Sequence, residues 1–313
     1  MQNKELQERH LEMLKTALGS DLVGFLAEDD VIEIMANPDG RVWLDTLSKG
    51  KFLTPFILPS MQRLNIIKLV ASFNQLLANE VNPEVACEIQ FAQARFQGWI
   101  YPVSTEPTFT IRKKARQIFT LNDYVEKEWL AQKQLDCLKL AIKQRLNMIV
   151  AGGTGSGKTT FANALLNELA KSTDRIVVLE DLPELQVSSE DTVTLRTTAA
   201  ITMQALVKGS LRMRPDRVII GEVRDHAALD LLKVWNTGHP GGFCTIHANR
   251  ADSVVARLED LILEAVPQVP HRLINEAVDL VIFMQKSGHR DYLISEMKPL
   301  SDKAQALFAD QVW

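Results

Sequence analysis

The chain has 313 residues, 46% hydrophobic and 24% charged, with a formal net charge of −4. That length has room for two domains of roughly 150 residues each, and the composition is that of a globular protein rather than a disordered or fibrous one. The acidic balance argues against a general nucleic-acid binder, which carries a basic excess, so no direct sequence-specific nucleic-acid binding is expected.

Cys87, Cys137 and Cys244 are far apart and form no C-x-x-C pair. Neither a disulfide framework nor a zinc site is expected, and a reducing compartment fits. No uninterrupted apolar run approaches the ~20 residues of a bilayer span. The start, Met1-Gln2-Asn3-Lys4-Glu5-Leu6, is polar and unlike a signal peptide. The expectation is a cytoplasmic protein whose membrane contact, where there is any, is peripheral.

Leu6, Leu11, Leu14 and Leu18 sit at the spacings of one helical face. Next, Val31 to Met35, the turn Asn37-Pro38-Asp39-Gly40 and Arg41 to Leu44 read as a β-hairpin. Pro59-Ser60 opens a long helix placing Leu64, Ile67, Ala71, Asn74 and Leu77 on one side. Val85–Gln90, Arg95–Tyr101 and Phe109–Lys113 are β-rich. Helices interspersed with a mostly antiparallel sheet predict an α+β domain over residues 1–116. Within it, the run Arg112-Lys113-Lys114-Ala115-Arg116 is a short basic patch. Arg95 and Arg112 become functional candidates if this domain faces a triphosphate, because a guanidinium takes phosphate oxygens bidentately. Residues 117–134 read as a linker, with Thr120 and Asp123 forming a capping box for a new helix. Leu135, Leu138 and Ile142 continue a helix into a second domain, residues 135–313.

That domain is organised around Ala151-Gly152-Gly153-Thr154-Gly155-Ser156-Gly157-Lys158-Thr159-Thr160. The apolar run Met148-Ile149-Val150 precedes it and helical composition follows, which is the context a G-x-x-x-x-G-K-[ST] loop requires. The glycines let backbone N–H groups turn inward as an anion nest, and the helix starting near Lys158 adds its positive dipole end. Lys158 would reach the β- and γ-phosphates of ATP and the Thr159 hydroxyl would bind Mg²⁺. Beyond it, Arg175–Asp181 is a strand apolar enough to be buried on both faces, and it ends in acids, with Glu184 close behind. Val193–Arg196 reads as a strand and Met203–Met213 as a helix. Arg217–Glu222 repeats the pattern of apolar strand and terminal acid, with Gly221 where a Walker B strand usually has aspartate. Gly241–Asn249 gives a further strand bearing His247. Ligands gather at the carboxyl ends of strands in such sheets, which places Glu180, Glu222 and His247 near the phosphates. Asp225 reads as a helix cap.

Taken in order, the P-loop, the acidic box Leu179–Leu185, Leu211–Arg217 with Ile220–Arg224, and Asn236–Gly242 with Thr245–Asn249 resemble the Walker A, Asp box, atypical Walker B and His box of the secretion ATPase superfamily. Its members include the traffic ATPases of type IV secretion, type II secretion and type IV pili, and the resemblance is strongest to the TrbB-type ATPases of conjugative transfer. The missing Walker B aspartate is the norm there. The resemblance implies an α/β protein in which an N-terminal α+β domain precedes a RecA-like P-loop domain with a mainly parallel sheet. It also implies a homohexamer that hydrolyses ATP with Mg²⁺ and docks on inner-membrane components of a conjugation machine.

By the same resemblance, Glu180 orients or deprotonates the water and Glu222 acts near Mg²⁺; the two roles are interchangeable on the residues alone. His247 senses the γ-phosphate, and Arg95 and Arg112 meet the nucleotide charge from the N-terminal domain. Arg196, Arg212 and Arg214 are lesser candidates, and His239 reads as structural. The competing readings are a DNA-strand motor or recombinase, a type IV pilus motor of the same superfamily, and a nucleotide-gated scaffold with little turnover.

Overall fold

A computed structural model describes residues 2–114, 118–198, 200–287 and 292–309, with backbone alone for residues 2–8. The chain divides into two units between residues 116 and 117. Arg116 of the basic run and residue 117 lie outside the described residues, as does the side chain of Leu6.

In the first unit α1 (Gln2–Ala27) is interrupted at Gly19, whose φ of +78° is left-handed. Leu14, Leu18, Leu22 and Leu26 recur every fourth residue and are buried, the periodicity that sets one face of a helix. The expected hairpin forms from β1 (Val31–Ala36) and β2 (Arg41–Thr46). A strand unread in the sequence, β3 (Gly50–Ile57), pairs with β2. Next, α2 (Ser60–Phe73) stops short of Leu77, which is 71% exposed. Asn74 N–H closes the helix on the carbonyls of Val70 and Ala71, and Gln75 turns away at φ +58°. The face of α2 that is buried is Arg63, Ile66, Ile67, Val70 and Ala71. Arg63 is among them because its guanidinium donates to the carbonyls of Pro38, Leu58 and Pro107, the condition for burying that charge.

β4 (Glu84–Ile89), β5 (Ala94–Trp99) and β6 (Thr108–Lys113) complete the sheet. Among the described residues it has six antiparallel strands, ordered β3-β2-β1-β6-β5-β4. One face, including Ile34, Val42, Phe96 and Ile111, forms a core with α1 and α2. Arg95 and Arg112 occupy the alternate positions, on the other face.

The second unit opens with α3 (Leu121–Glu126), capped as expected: Asp123 N–H donates to Thr120 Oγ1 at 3.1 Å and Thr120 N–H to Asp123 Oδ2 at 2.6 Å. The segment read as a linker is part of the core instead. Leu121, Tyr124 and Leu130 are buried, and Phe119, Tyr124 and Trp129 meet edge to face. So much aromatic surface is more stable out of water than on a solvated connection.

After α4 (Gln132–Lys143) come β7 (Met148–Gly152), α5 (Lys158–Leu169), β8 (Ile176–Glu180), β9 (Thr192–Arg196), α6 (Met203–Ser210), β10 (Arg217–Ile220), α7 (Ala227–Asn236), β11 (Phe243–His247), α8 (Ser253–Leu263), α9 (His271–Ala277), β12 (Leu280–Lys286), β13 (Tyr292–Pro299) and α10 (Asp302–Leu307). The sheet runs β13-β12-β7-β11-β10-β8-β9 and is parallel except for β13. β7 has a core on each side, Met148 and Val150 in one and Ile149 and Ala151 in the other. That two-sided burial is why its sequence reads as an unbroken apolar run. Among the described residues no helix is long and apolar enough to cross a membrane.

At the strand ends away from the P-loop, Asp174 joins Arg145 and Arg217, with Arg217 Nε at 2.6 Å. Arg217 also donates to the carbonyls of Gly241 and Ile142. Burial alone would raise the Asp174 carboxyl, but the hydrogen bond and charge of Arg217, with Arg145 behind it, hold it below the ordinary carboxylate range. Asp174→Ala would leave Arg217 charged and buried, costing about 3 kcal/mol. Calorimetry should show the second unit melting roughly 6–12 °C lower. Because the folded pKa is depressed, the stability linked to Asp174 is complete above its unfolded value of about 3.9. It is lost as pH falls through the lower folded value.

Candidate functional site

β7 occupies the middle of the parallel sheet, and its last residue, Gly152, lies beside His247 at the end of β11. On the same edge β10 leads into Gly221-Glu222, and its neighbour β8 ends in Glu180. Four carboxyl ends therefore converge where an open α/β sheet takes its ligand.

The turn out of β7 puts Gly155 and Gly157 at φ +71° and +87°, and Gly157 immediately precedes α5. A Cβ on Gly157 would also lie 2.7 Å from the Tyr292 ring, so both conformation and space reserve that position for glycine. With Gly152, Gly153 and Thr154 before it and Lys158, Thr159 and Thr160 opening α5, the loop has the strand and helix that a phosphate cradle needs. The Ser156 hydroxyl is buried and has no hydrogen-bond partner among the described residues, a donor that a phosphate oxygen would satisfy.

Lys158 is buried, and its Nζ donates to the carbonyls of Gly152 (3.0 Å) and Gly153 (2.9 Å). It lies 3.4 Å from His247 Nδ1. On its other side His247 Nε2 is 2.9 Å from Glu222 Oε1, and Glu222 Oε2 accepts from Arg224 at 2.6 Å. Burial, then the Lys158 charge, lower the His247 pKa against the pull of Glu222. A neutral ring with its proton on Nε2 satisfies both neighbours, donating to Glu222 and accepting from Lys158. For Glu222, burial favours protonation, but Arg224, His247 and Lys158 outweigh it and keep the carboxyl ionised.

The acidic loop after β8 has its own anchors. Glu180 is 1% exposed, and its Oε1 accepts the N–H groups of Glu184 (2.9 Å) and Leu185 (2.7 Å). Its side chain fills the space beside Gly221, where a Cβ would lie 3.2 Å from Glu180 Cγ. That close approach favours a small residue at the position where a Walker B strand usually has aspartate. The carboxylate that reaches the P-loop helix is Glu184, whose Oε2 accepts the Thr159 hydroxyl at 3.1 Å. Asn163, one turn further along α5, holds the loop from below: its Nδ2 donates to Glu184 O and its Oδ1 accepts from Gln186 N–H.

The expected roles thus separate in space. Glu180 shapes the loop, Glu184 meets the candidate Mg²⁺ ligand Thr159, and Glu222 is engaged by His247 and Arg224. Glu184 was legible as a third acid in the box, four residues after Glu180, and Asn163 as the residue four beyond Thr159 on the same helical face. Arg224 closes the Ile220–Arg224 segment, in which the sequence assigns it no role, and no local signal marks Tyr292. Arg95 and Arg112 stand directly opposite each other on β5 and β6, with Glu88 and Glu33 as their outer partners. Like charges opposed in a sheet are unfavourable, so the pair forms a positive centre that depends on anions beside it. Asp225 Oδ1 accepts Ala227 N–H at 2.8 Å at the start of α7, and His239 Nδ1 bonds the Pro215 carbonyl at 3.0 Å. Arg196, Arg212 and Arg214 are exposed.

Hard oxygen donors suit Mg²⁺, which keeps most of its waters and takes one or two protein carboxylates besides phosphate. The Thr159 hydroxyl with the Glu184 carboxylate fits that demand. Among the described residues no group of three or more His, Cys, Asp or Glu makes an all-protein metal site.

Comparison with known proteins gives the family. The model of the type II/IV secretion system protein family matches residues 81–288. Conjugal transfer protein TrbB of Rhizobium radiobacter is 42% identical over 282 residues, covering 90% of this chain and 87% of that protein. The probable conjugal transfer protein TrbB of Sinorhizobium fredii is 39% identical over 316 residues, covering 100% and 97%. The ATPase DotB of Legionella pneumophila has the same fold, with a TM-score of 0.64 at 15% identity over 98% of this chain and 84% of that one. The chain belongs to the type II/IV secretion system protein family and is a near relative of the TrbB conjugal transfer proteins.

Proposed function

We propose that this chain is a Mg²⁺-dependent P-loop ATPase that acts as a homohexameric ring at the cytoplasmic face of the membrane, powering pilus assembly or substrate transfer in a conjugative type IV secretion machine. The observation that carries the reading is the meeting of Lys158 and Thr159 with Glu184, Glu222 and His247 at one sheet edge. The conjugal transfer relatives support the setting.

The chemistry follows from charge. Phosphoryl transfer needs positioning and neutralisation rather than a covalent intermediate. Gly152 to Gly157 present backbone N–H groups to the phosphates, and Lys158 leaves the Gly152 and Gly153 carbonyls to pair with them. Thr159 and Glu184 would hold a Mg²⁺ ion, which would supply neutralisation of phosphate charge. Glu184 and Glu222 are the carboxylates with a side-chain contact to the P-loop helix or to His247, and with Glu180, whose Oε1 holds the loop amides, they are the candidates to orient the attacking water. His247, touching Lys158 and Glu222 at once, changes partners when a γ-phosphate draws Lys158 away.

Lys158→Ala should abolish ATP turnover while leaving the circular dichroism spectrum and melting profile unchanged; full turnover would refute the site. Glu184→Gln should lower kcat on the order of 100-fold with ATP affinity preserved within severalfold. A Glu184→Gln protein that turned over normally would return the role to Glu180 or Glu222. Native mass spectrometry with ATP should give a species about six times the 35.1 kDa chain mass, and a monomer under all nucleotide conditions would refute the ring.

A further inference from the structure

Arg224 sits two residues beyond Glu222 and takes no part in the chemistry above. Glu222 has a difficulty that its own strand does not solve. It follows β10 directly after Gly221, which offers no side chain to wall it in, so the direction of its carboxylate depends on partners. A carboxylate held at one oxygen still rotates about that contact; held at both, it has one orientation. His247 takes Oε1 at 2.9 Å and Arg224 takes Oε2 at 2.6 Å, the second a short charge-assisted bond.

We propose that Arg224 is a positioning residue for ATP turnover: its guanidinium clamps Glu222 on the side opposite His247 and fixes the angle at which that carboxylate meets the nucleotide. The inference rests on the ATPase reading.

Two further observations agree with it. The Arg224 guanidinium keeps its proton more firmly than a free one, first through the bond to Glu222, against some loss to burial, and then through the charges of Glu222, Asp181 and Glu184. It is therefore also within reach of the charges of the β8 loop. The contacts form an order along the edge: Lys158 from the P-loop, His247 from β11, Glu222 after β10, then Arg224. Its side chain is 51% exposed, so it is not a core strut, and its loss should leave the fold intact.

The alternative task for an arginine here is direct contact with phosphate. A double-mutant cycle on kcat separates the two, because a residue that acts through another shows no independent loss once that other is removed. Steady-state ATP turnover and equilibrium binding of a fluorescent ATP analogue would be measured for the wild type, Arg224→Gln, Arg224→Lys, Glu222→Gln and the double variant Arg224→Gln/Glu222→Gln. Arg224→Gln should lower kcat roughly ten- to hundredfold with nucleotide affinity within about twofold and an unchanged melting midpoint. Arg224→Lys should recover most of the rate, since one N–H donor reaches Glu222. In the Glu222→Gln background the second substitution should cost less than about twofold. Additive losses, or a fall in nucleotide affinity with kcat intact, would overturn the clamp in favour of direct phosphate contact. Unchanged kcat in Arg224→Gln would overturn it outright. A wild-type chain without turnover would overturn the ATPase reading and the clamp together, which is distinguishable from the clamp failing in an active enzyme.

Discussion

Carboxylates crowd the carboxyl edge of the parallel sheet, and keeping them there, partly out of water and beside a phosphate cradle, requires that each have donors of its own. Glu180 has the backbone N–H groups of Glu184 and Leu185, and Asp181 has the Thr197 hydroxyl. Glu184 has the Thr159 hydroxyl, and Glu222 has His247 and Arg224. A desolvated charge without such partners costs several kcal/mol. The local chain geometry follows from that demand: the loop after β8 curls back because its amides must reach Glu180, and α5 carries Asn163 where it can brace the same loop. The P-loop supplies the opposite sign, with Lys158 held on its own carbonyls.

The sheet order puts these groups within reach of one another. β7, β11, β10 and β8 are neighbours although the chain visits them in the order β7, β8, β10, β11. Crossovers between parallel strands pass over the faces of the sheet, leaving every strand to point its carboxyl end the same way. Lys158, His247 and Glu222 are thereby brought together from segments up to 89 residues apart. The first unit solves a different problem with an antiparallel sheet, which keeps one face in the core and leaves the other, with Arg95 and Arg112, outside it.

Much of this was legible in the sequence because burial leaves a simple record. β7, β8 and β10 are covered on both faces and read as continuous apolar runs, and the P-loop spacing follows from backbone geometry alone. What was not legible obeys tertiary rather than local rules. β3 is an edge strand whose Pro55 falls in the irregular stretch of its pairing with β2, where a missing N–H does no harm, so propensity argues against it. The end of α2 is set by a left-handed Gln75, not by a helix breaker. The segment around Phe119, Tyr124 and Trp129 carries turn-like residues between its aromatics, and only the presence of Phe161 and Tyr292 to pack against makes it core. Within the acidic box, residue type cannot say which acid turns inward; that choice is made by which amides the following loop can present.

Glu180 and Gly221 come from adjacent strands and share a single volume. Their identities are therefore not independent. With glutamate at 180, a Cβ at 221 would lie 3.2 Å from its Cγ, so a side chain there asks the glutamate to shift by a few tenths of an ångström against the amides that hold its carboxylate. A change at either position is therefore felt at the other, and through Glu180 in the turn that follows β8.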